Sequence, residues 1–275
     1  MKKGIIIFLP IFLYSCISNH SQLQKEIIPK VKVNEKIITA QEVRLMQSAD
    51  TCYGAYIDSI QALIKLINIE LESEIVRLYF NKTIKEDTLK QKSEWVDANT
   101  RAPNILNCVK AKYGKDTSAY LQWYIRPTVV NPVLHKLYNF SKEIHRPIYQ
   151  RISGIRDSLD KGLKRLEQFA EYKKWDIPKG KGYEGLPFVQ EVVIPLKEKE
   201  TYKGIYEDDY WLSIPRKIKE DEEKWYLDGI TLDKEPFEKW FSQQVKEKVK
   251  IEWLNEKDKE LVRQRYPEWW EKMMP

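Results

Sequence analysis

The feature that most constrains the fold of this chain is an apolar periodicity of helical type near residue 60. Apolar side chains recur there at intervals of three and four positions, which places them on one face of a helix. The residues of this face are Tyr53, Tyr56, Ile57, Ile60, Leu63, Ile64, Ile67 and Leu71. A face this wide needs other apolar surface to cover it, so the pattern predicts a helix within a bundle.

Residues 39–175 have the features of a helical bundle throughout. Thr39 and Glu42 have the spacing of a capping box, which predicts a helix start. Gly114 followed by Asp116 predicts the end of one helix and the start of the next. A second apolar stripe is formed by Ile148, Ile152, Ile155, Leu159, Leu163, Leu166 and Phe169. We expect about five helices in this region.

The composition changes near residue 176, where prolines and glycines crowd together at Pro178, Gly180, Gly182, Gly185 and Pro187. This cluster predicts a domain boundary. Strands are predicted beyond it over residues 188–194, within 202–214 and on both sides of an Asp228-Gly229 hairpin turn. A helix beginning at Phe237 follows. The expected fold class is therefore mainly α, with a helical domain over 39–175 followed by a small α+β module over 176–275.

The charge of the chain is unevenly distributed. Residues 40–175 contain 22 Lys and Arg against 16 Asp and Glu, whereas residues 176–275 contain 19 against 23. The basic half could meet anionic lipid, glycan or an acidic protein face, or its charges could simply be solvated on exposed helix faces. Nucleic acid is not expected as a partner, because no zinc-finger, basic-zipper or RNA-recognition motif is present.

The first 16 residues combine charge, an apolar run and a cysteine. Lys2 and Lys3 precede an apolar run over residues 4–12, which is shorter than the roughly 20 residues of a membrane-spanning helix. The run is followed by Leu13, Tyr14, Ser15 and Cys16. This order resembles a bacterial lipoprotein signal peptide. The resemblance implies removal of residues 1–15, lipidation of Cys16 and attachment of the mature protein to a membrane.

Residues 16–38 are polar and lack a sustained apolar period, so we expect a tether between the anchor and the folded body. In enteric bacteria an Asp directly after the lipidated cysteine retains a lipoprotein in the inner membrane. Here Ile17 stands at that position. The resemblance therefore implies delivery to the outer membrane.

Two further cysteines, Cys52 and Cys108, form an even pair in what should be an oxidising compartment. A disulfide between them is the first expectation. The alternative is a pair of buried free thiols that behave as small apolar residues.

No catalytic, metal or cofactor site is predicted. The three histidines lack the spacing of zinc ligands. The G-x-G-x-x-G run at residues 180–185 follows a predicted helix and precedes a predicted strand, whereas a nucleotide-binding loop lies between a strand and a helix. Two acidic runs, Glu207-Asp208-Asp209 and Glu220-Asp221-Glu222-Glu223, could supply paired carboxylates for glycan cleavage. Adjacent carboxylates are more often solvated.

Trp269 and Trp270, at the end of the chain, are the candidate interaction residues.

Residues 52–121 resemble the helical domain of lysozyme-inhibitor-like lipoproteins of bacterial envelopes. That family has an early cysteine, then a Leu, Gln and Trp helix, then Cys, Leu or Val, and Tyr in a later helix. The matching residues here are Cys52, Leu89, Gln91, Trp95, Cys108, Val109 and Tyr113. The Arg-Asp-x-x-Cys run of the family is absent, and Asp97-Ala98-Asn99 stands in its place.

The sequence as a whole predicts an envelope lipoprotein that acts without catalysis. It would bind a protein or glycan partner and act as an inhibitor, an immunity protein or a scaffold. The alternative is a glycan-active hydrolase that uses the carboxylates of the last third of the chain.

Overall fold

The structure is a computed structural model that describes residues 28–81, 85–100, 102–180 and 182–274. The predicted signal peptide and Cys16 lie outside these residues. Within them the chain is mainly helical with two small antiparallel sheets, which confirms the expected mixture of α and α+β parts. No helix among the described residues is long and apolar enough to cross a membrane.

Ten α-helices occur in the described part of the chain. They are α1 (Ala40–Asp50), α2 (Ser59–Phe80), α3 (Glu86–Asn99), α4 (Pro103–Tyr113), α5 (Thr117–Tyr120), α6 (Arg126–Asn139), α7 (Arg146–Asp160), α8 (Phe237–Lys248), α9 (Glu256–Arg265) and α10 (Pro267–Met273). Two π-helical turns are Leu121–Ile125 and Val189–Val193, and two 3₁₀ turns are Thr51–Tyr53 and Leu166–Gln168. Seven α-helices thus occupy the region for which about five were expected, and one of the additional helices is the short α5, which a π-helical turn connects to α6.

The strands form two sheets. They are β1 (Pro29–Val33), β2 (Lys36–Thr39), β3 (Tyr172–Pro178), β4 (Tyr206–Glu207), β5 (Trp211–Glu220), β6 (Lys224–Asp233) and β7 (Ile251–Trp253). The first sheet has the order β2-β1-β7, and the second has the order β3-β6-β5-β4. All pairings are antiparallel.

Helix α2 lies at the centre of the main core. Its N-terminus is fixed by Asp58, whose carboxylate accepts hydrogen bonds from the backbone N–H groups of Ile60 at 2.8 Å and Gln61 at 3.0 Å. The buried apolar residues of α2 are Ile60, Ala62, Leu63, Leu66, Ile67, Leu71, Ile75 and Val76. The predicted apolar face belongs to α2 from Ile60 onward, whereas Tyr53 and Tyr56 precede the helix and Tyr56 is 90% exposed.

The capping signals at Thr39, Gly114 and Asp116 are confirmed. The hydroxyl of Thr39 accepts from the backbone N–H of Glu42, and the Glu42 carboxylate accepts from the backbone N–H of Thr39 at 2.6 Å, so α1 begins with a complete capping box. Gly114 follows the end of α4 with a positive φ of 62°. Asp116 then caps α5 by accepting from the backbone N–H of Ala119.

The tether prediction is wrong for residues 29–38. These residues form the hairpin of β1 and β2, and β1 also pairs with β7, with Val31 opposite Trp253 and Val33 opposite Ile251. Valines alternate with lysines along β1, which is a strand pattern with one buried face. Val31 and Val33 are buried in the main core, so the folded body begins about ten residues earlier than expected.

The boundary predicted at residue 176 does not separate two packing units. Strand β3 runs across it. The main core also combines residues of β1, α2 and α6 with Trp240, Phe241 and Val245 of α8. The last third of the chain therefore returns to the helical part, and the change in composition near residue 176 marks the start of the second sheet rather than a division between cores.

The strand predicted over residues 188–194 is wrong, since Val189–Val193 is a π-helical turn. Val189, Val192 and Val193 are fully buried, and their spacing is that of a helix face rather than of alternating strand positions. The G-x-G-x-x-G run thus follows a strand and precedes a helical turn, contrary to expectation. Its strand β3 is nevertheless an edge strand paired antiparallel with β6, not part of a parallel β-α-β unit.

The hairpin predicted at Asp228-Gly229 is also wrong. Strand β6 runs through both residues, and the turn between β5 and β6 lies at residues 221–223, where Asp221 accepts from the backbone N–H groups of Glu223 and Lys224. Asp228 is buried and accepts two hydrogen bonds from Arg216 on β5. Gly229 is needed for another reason, because an added Cβ would lie 2.3 Å from the Ile214 carbonyl oxygen.

We predict that Gly229→Ala lowers the free energy of unfolding by about 3 kcal/mol or more, since Gly229 has a φ of +150° and its neighbour is rigid backbone. The matched control is Gly154→Ala on an exposed position of α7 with open space around it, which should stabilise the protein by about 0.5–1 kcal/mol. Urea unfolding measures both changes. Equal stability of the two variants would contradict the close approach of β5 and β6.

Candidate functional site

Two cavities in the helical part of the chain lie on either side of a continuous helical stretch that contains a π-helical turn. Helix α5 continues into the turn Leu121–Ile125 and then into α6, and the backbone N–H of Arg126 donates to the carbonyl of Leu121, five residues earlier. Pro127 accounts for the wide turn, because its ring would collide with the carbonyl four residues earlier in a regular α-helix. Such turns are rare and are often found at functional sites. We call residues 116–126 the π segment.

The first cavity lies between β2, α1, α2 and the π segment and has a volume of about 510 Å³. We call it the Arg126 cavity. The Arg126 guanidinium donates to Glu70 at 2.5 Å, and the two side chains are only 16% and 11% exposed. Lys36 and Glu42 form a second ion pair on its wall at 2.8 Å. Opposite charges are thus paired inside this cavity.

One polar atom of the Arg126 cavity has no partner. The Nε atom of Arg126 is buried and makes no hydrogen bond to any described residue. An unsatisfied donor of this kind costs free energy in the folded state. The Glu70–Arg126 pair offsets part of this cost and joins α2 to the start of α6. The main effect of the pair is therefore to hold the π segment against the central helix.

The second cavity lies on the other side of the π segment, against α3 and α4, and has a volume of about 470 Å³. We call it the Tyr120 cavity. Its aromatic wall consists of Tyr113 and Tyr120, whose ring centroids are 6.4 Å apart. Its polar lining consists of Lys90, Ser93, Glu94, Lys110, Asp116 and Thr117. The cavity thus combines aromatic rings with polar groups of both charges.

Tyr120 belongs to a row of stacked rings. Its ring stacks on that of Tyr124 at 5.3 Å, and Tyr124 in turn stacks on Tyr53 at 6.3 Å. Tyr113 also contacts Trp123, with ring centroids 6.0 Å apart. Aromatic pairs at these distances are attractive beyond their burial, so the row fixes the position of the Tyr120 ring.

The hydroxyl of Tyr120 is the unusual group of this cavity. The side chain is 5% exposed, and its oxygen makes no hydrogen bond of normal geometry with a described residue. Burial raises the pKa of Tyr120 well above its usual value, and the charge of Asp97 adds to this effect, whereas the nearby Ser93 hydroxyl opposes it. The phenol therefore stays protonated at physiological pH, and its oxygen is enclosed by the surrounding side chains.

The predicted disulfide lies beside this row of rings. Cys52 in the 3₁₀ turn after α1 and Cys108 in α4 are bonded, with Cα atoms 5.7 Å apart. Cys52 packs against the smaller core that contains Leu89, Val109 and Tyr120. The bridge ties α1 to α4 and so restrains one wall of the Tyr120 cavity.

The two tryptophans predicted as interaction residues lie on α10 and already have partners within the chain. The indole N–H of Trp269 donates to the side chain of Asn68 on α2 at 2.9 Å. The Trp270 ring stacks on Trp253 of β7 at 5.8 Å. Both rings are half-buried, and they hold α10 against the main core.

The acidic runs of the last third are engaged in local contacts. Glu207 accepts from Lys234 at 3.0 Å and from the hydroxyl of Tyr149. Glu220 pairs with Lys179 and Lys217, and Asp221 forms the turn between β5 and β6. The carboxylates of Glu207, Glu220 and Asp221 thus have partners within the chain.

Lys234 connects the second sheet with the helical part. Its side chain is 1% exposed, and its ammonium donates to Glu207, to the carbonyl of Asp208 at 2.6 Å and to the carbonyl of Asn139 at the end of α6. All three N–H donors are used. Nearby, the ring of buried His145 contacts the carbonyl of Tyr138 at 2.9 Å. This cluster has a structural role, because all N–H donors of Lys234 are used to connect the second sheet with the end of α6 and none remains for a ligand.

Sequence reasoning named neither cavity. The signals were available in part, since Pro127 follows a short helical stretch and tyrosines recur at 113, 120 and 124. Their convergence with α3 depends on tertiary packing. Among the described residues no group of three His, Cys, Asp or Glu side chains is arranged to hold a metal ion.

Comparisons with protein-family models, with curated proteins and with solved structures found no match for this chain.

We predict that replacing both cysteines, in Cys52→Ala/Cys108→Ala, lowers the free energy of unfolding by about 4 kcal/mol, because the bridge closes a long loop of the unfolded chain. Urea unfolding without reductant measures the change. Reductant should destabilise the unmodified protein by a similar amount and leave the double variant unaffected. A double variant as stable as the parent would contradict this account.

A second prediction concerns pH. Burial lowers the pKa of His145 below its usual value of 6.5. The imidazole therefore binds a proton more readily in the unfolded chain than in the folded protein. Stability should therefore fall as the pH drops below about 6.5, by at most about 1.4 kcal/mol per pH unit. His145→Gln should flatten this dependence between pH 6.5 and 5, whereas His135→Gln should retain it. Identical slopes in thermal unfolding of both variants would refute the assignment.

Proposed function

We propose that this protein is a lipid-anchored protein of the bacterial envelope that acts by binding a partner rather than by catalysis. The anchor rests on the order of Lys2, Lys3, the apolar run and Cys16. The observation that carries the binding function is the Tyr120 cavity. The anchor would keep this site at a membrane surface, and Ile17 favours the outer membrane.

The Tyr120 cavity has the properties of a preformed binding site. Its volume of about 470 Å³ falls within the range of small-ligand pockets. The ring row and the Cys52–Cys108 bridge fix its walls before any partner arrives. A rigid site loses little conformational freedom on binding, which favours affinity.

The partner proposed here is a protein or a glycan of the envelope. The cavity lies in the basic half of the chain, where residues 40–175 carry 22 basic against 16 acidic residues. Occupying the partner's surface would suffice for inhibition of a lytic enzyme, for immunity or for scaffolding. Glycan hydrolysis by the acidic runs has weaker support, because Glu207 and Glu220 are ion-paired and Asp221 forms a turn.

We predict that Cys16→Ser abolishes incorporation of radiolabelled palmitate and moves the protein from the membrane fraction to the soluble fraction or leaves it unprocessed. The reason is that the thioether-linked lipid requires the cysteine sulfur. The control is Cys52→Ala/Cys108→Ala, which should retain the label. Labelling that persists in Cys16→Ser would refute the anchor.

The binding function is tested by cross-linking the full-length protein in intact envelopes, followed by purification and a cell-wall digestion assay on the same preparation. A specific cross-linked protein or glycan without digestion supports the proposal. Digestion that is lost on Glu207→Gln or Glu220→Gln would replace it with the hydrolase.

A further inference from the structure

Strand β3 forms one edge of the second sheet, because it pairs with β6 on one side and with no described strand on the other. It has seven residues, whereas the other edge strands β2, β4 and β7 have four, two and three. An edge strand exposes a row of backbone N–H and C=O groups with which another strand can pair. In the described part of the chain, β3 is the longest such edge.

The register of β3 against β6 decides which backbone groups of β3 point away from the sheet. The N–H of Thr231 donates to the carbonyl of Glu171 at 3.3 Å, and the N–H of Lys179 donates to the carbonyl of Glu223 at 2.6 Å. These bonds lie at the two ends of one antiparallel ladder without a register shift. Because bonded positions alternate in such a ladder, the odd-numbered residues of β3 bond to β6 and the even-numbered residues point outward.

Two of the outward residues keep both a free donor and a free acceptor. The backbone N–H and C=O groups of Lys174 and Asp176 make no backbone hydrogen bond with a described residue, and both residues are exposed. Toward the ends of the strand, the N–H of Tyr172 donates to the carbonyl of Phe169 at 3.2 Å, and Pro178 has no N–H. Only the centre of β3 can therefore donate to an added strand.

A second copy of β3 fits this edge best in one antiparallel register. A two-fold axis through Trp175 places Lys174 of each copy opposite Asp176 of the other. The same axis places Tyr172 opposite Pro178, so the two positions without a free donor meet each other. An axis through Lys174 or through Asp176 would also align outward groups, but it would place like charges directly opposite each other, which is destabilising.

The side chains needed for this register are available. Directly opposite residues of an antiparallel pair project from the same face, so each Lys174 ammonium would meet an Asp176 carboxylate. Lys174 forms no ion pair with a described residue. The Asp176 carboxylate pairs with Lys224 at 2.5 Å, but its side chain is 43% exposed and can accept a second cation.

Trp175 adds apolar surface at the axis. Its ring packs against the buried cluster that contains Val189 and Leu227, yet the residue remains partly exposed. At the axis, the two copies of Trp175 would form a pair without backbone hydrogen bonds, in which Cα atoms are about 4.5 Å apart. Aromatic side chains at such positions attract each other beyond their burial.

From these observations we infer that β3 is an interface between two copies of this chain, which pair antiparallel about Trp175 and join their four-stranded sheets into one. A contact of one strand from each copy falls below the roughly 1,200 Å² of stable interfaces, so association in dilute solution is weak. The interface does not depend on the Tyr120 cavity or on the lipid anchor, although an anchor would concentrate the copies on one surface.

The register is tested with single cysteines in the full-length protein. Differently tagged Lys174→Cys and Asp176→Cys chains are produced together and oxidised in intact cells. Their Cα atoms would lie about 5.5 Å apart, which a disulfide spans, whereas identical positions lie diagonally at about 7–8 Å. We expect the mixed pair to cross-link at least roughly fivefold more than either variant alone. Lys112→Cys, exposed on α4, measures the background, including any from the natural cysteines.

A charge exchange provides a second test. Lys174→Glu and Asp176→Lys each place like charges opposite each other in both symmetric pairs and should weaken association by roughly tenfold or more. The double variant Lys174→Glu/Asp176→Lys restores opposite charges and should recover association. Sedimentation equilibrium of the full-length protein in density-matched detergent measures the dissociation constants. The melting temperatures of the three variants show whether each of them folds.

The outcomes are distinct. Cross-linking of Lys174→Cys alone or Asp176→Cys alone above that of the mixture contradicts the register. Cross-linking no greater than that of Lys112→Cys, or to another protein instead of a second copy, overturns the interface. Folded single charge variants that associate like the unmodified protein overturn it as well. Association of copies without any cross-linked envelope partner leaves this interface intact and refutes the proposed binding function alone.

Discussion

Burial of helix α2 is the constraint on which the rest of the structure depends. Its apolar residues point in several directions, so no single neighbour can cover them. Helices α1, α6 and α8 and the sheet of β1, β2 and β7 together provide that cover. Because β7 and α8 come from the end of the chain, the core forms only when distant segments meet.

Two polar contacts hold the surrounding parts in place. Glu70 and Arg126 connect α2 with the π segment, and Lys234 connects the end of α6 with β4 and the second sheet. Buried charges of this kind are tolerated only when their partners are fixed. They add little net stability, but they allow few alternative arrangements of the segments that they join.

The candidate binding site is a consequence of this packing. Pro127 accounts for the wide turn, Glu70 holds the segment against α2, and the Cys52–Cys108 bridge restrains α4 on the far side. The Tyr120 cavity is the space left between these restraints and α3.

The sequence alone determined the local structure that short-range physics controls. The capping groups Thr39 and Asp116 and the apolar face of α2 follow from spacing along the chain, and the Cys52–Cys108 bridge was expected from an even pair of cysteines in an oxidising compartment. The tertiary structure decided that β1 pairs with β7, that β6 runs through Gly229, and that Tyr113, Tyr120 and Ser93 share one cavity. These contacts join residues remote in sequence, and their free energy depends on shape and burial that no local pattern contains.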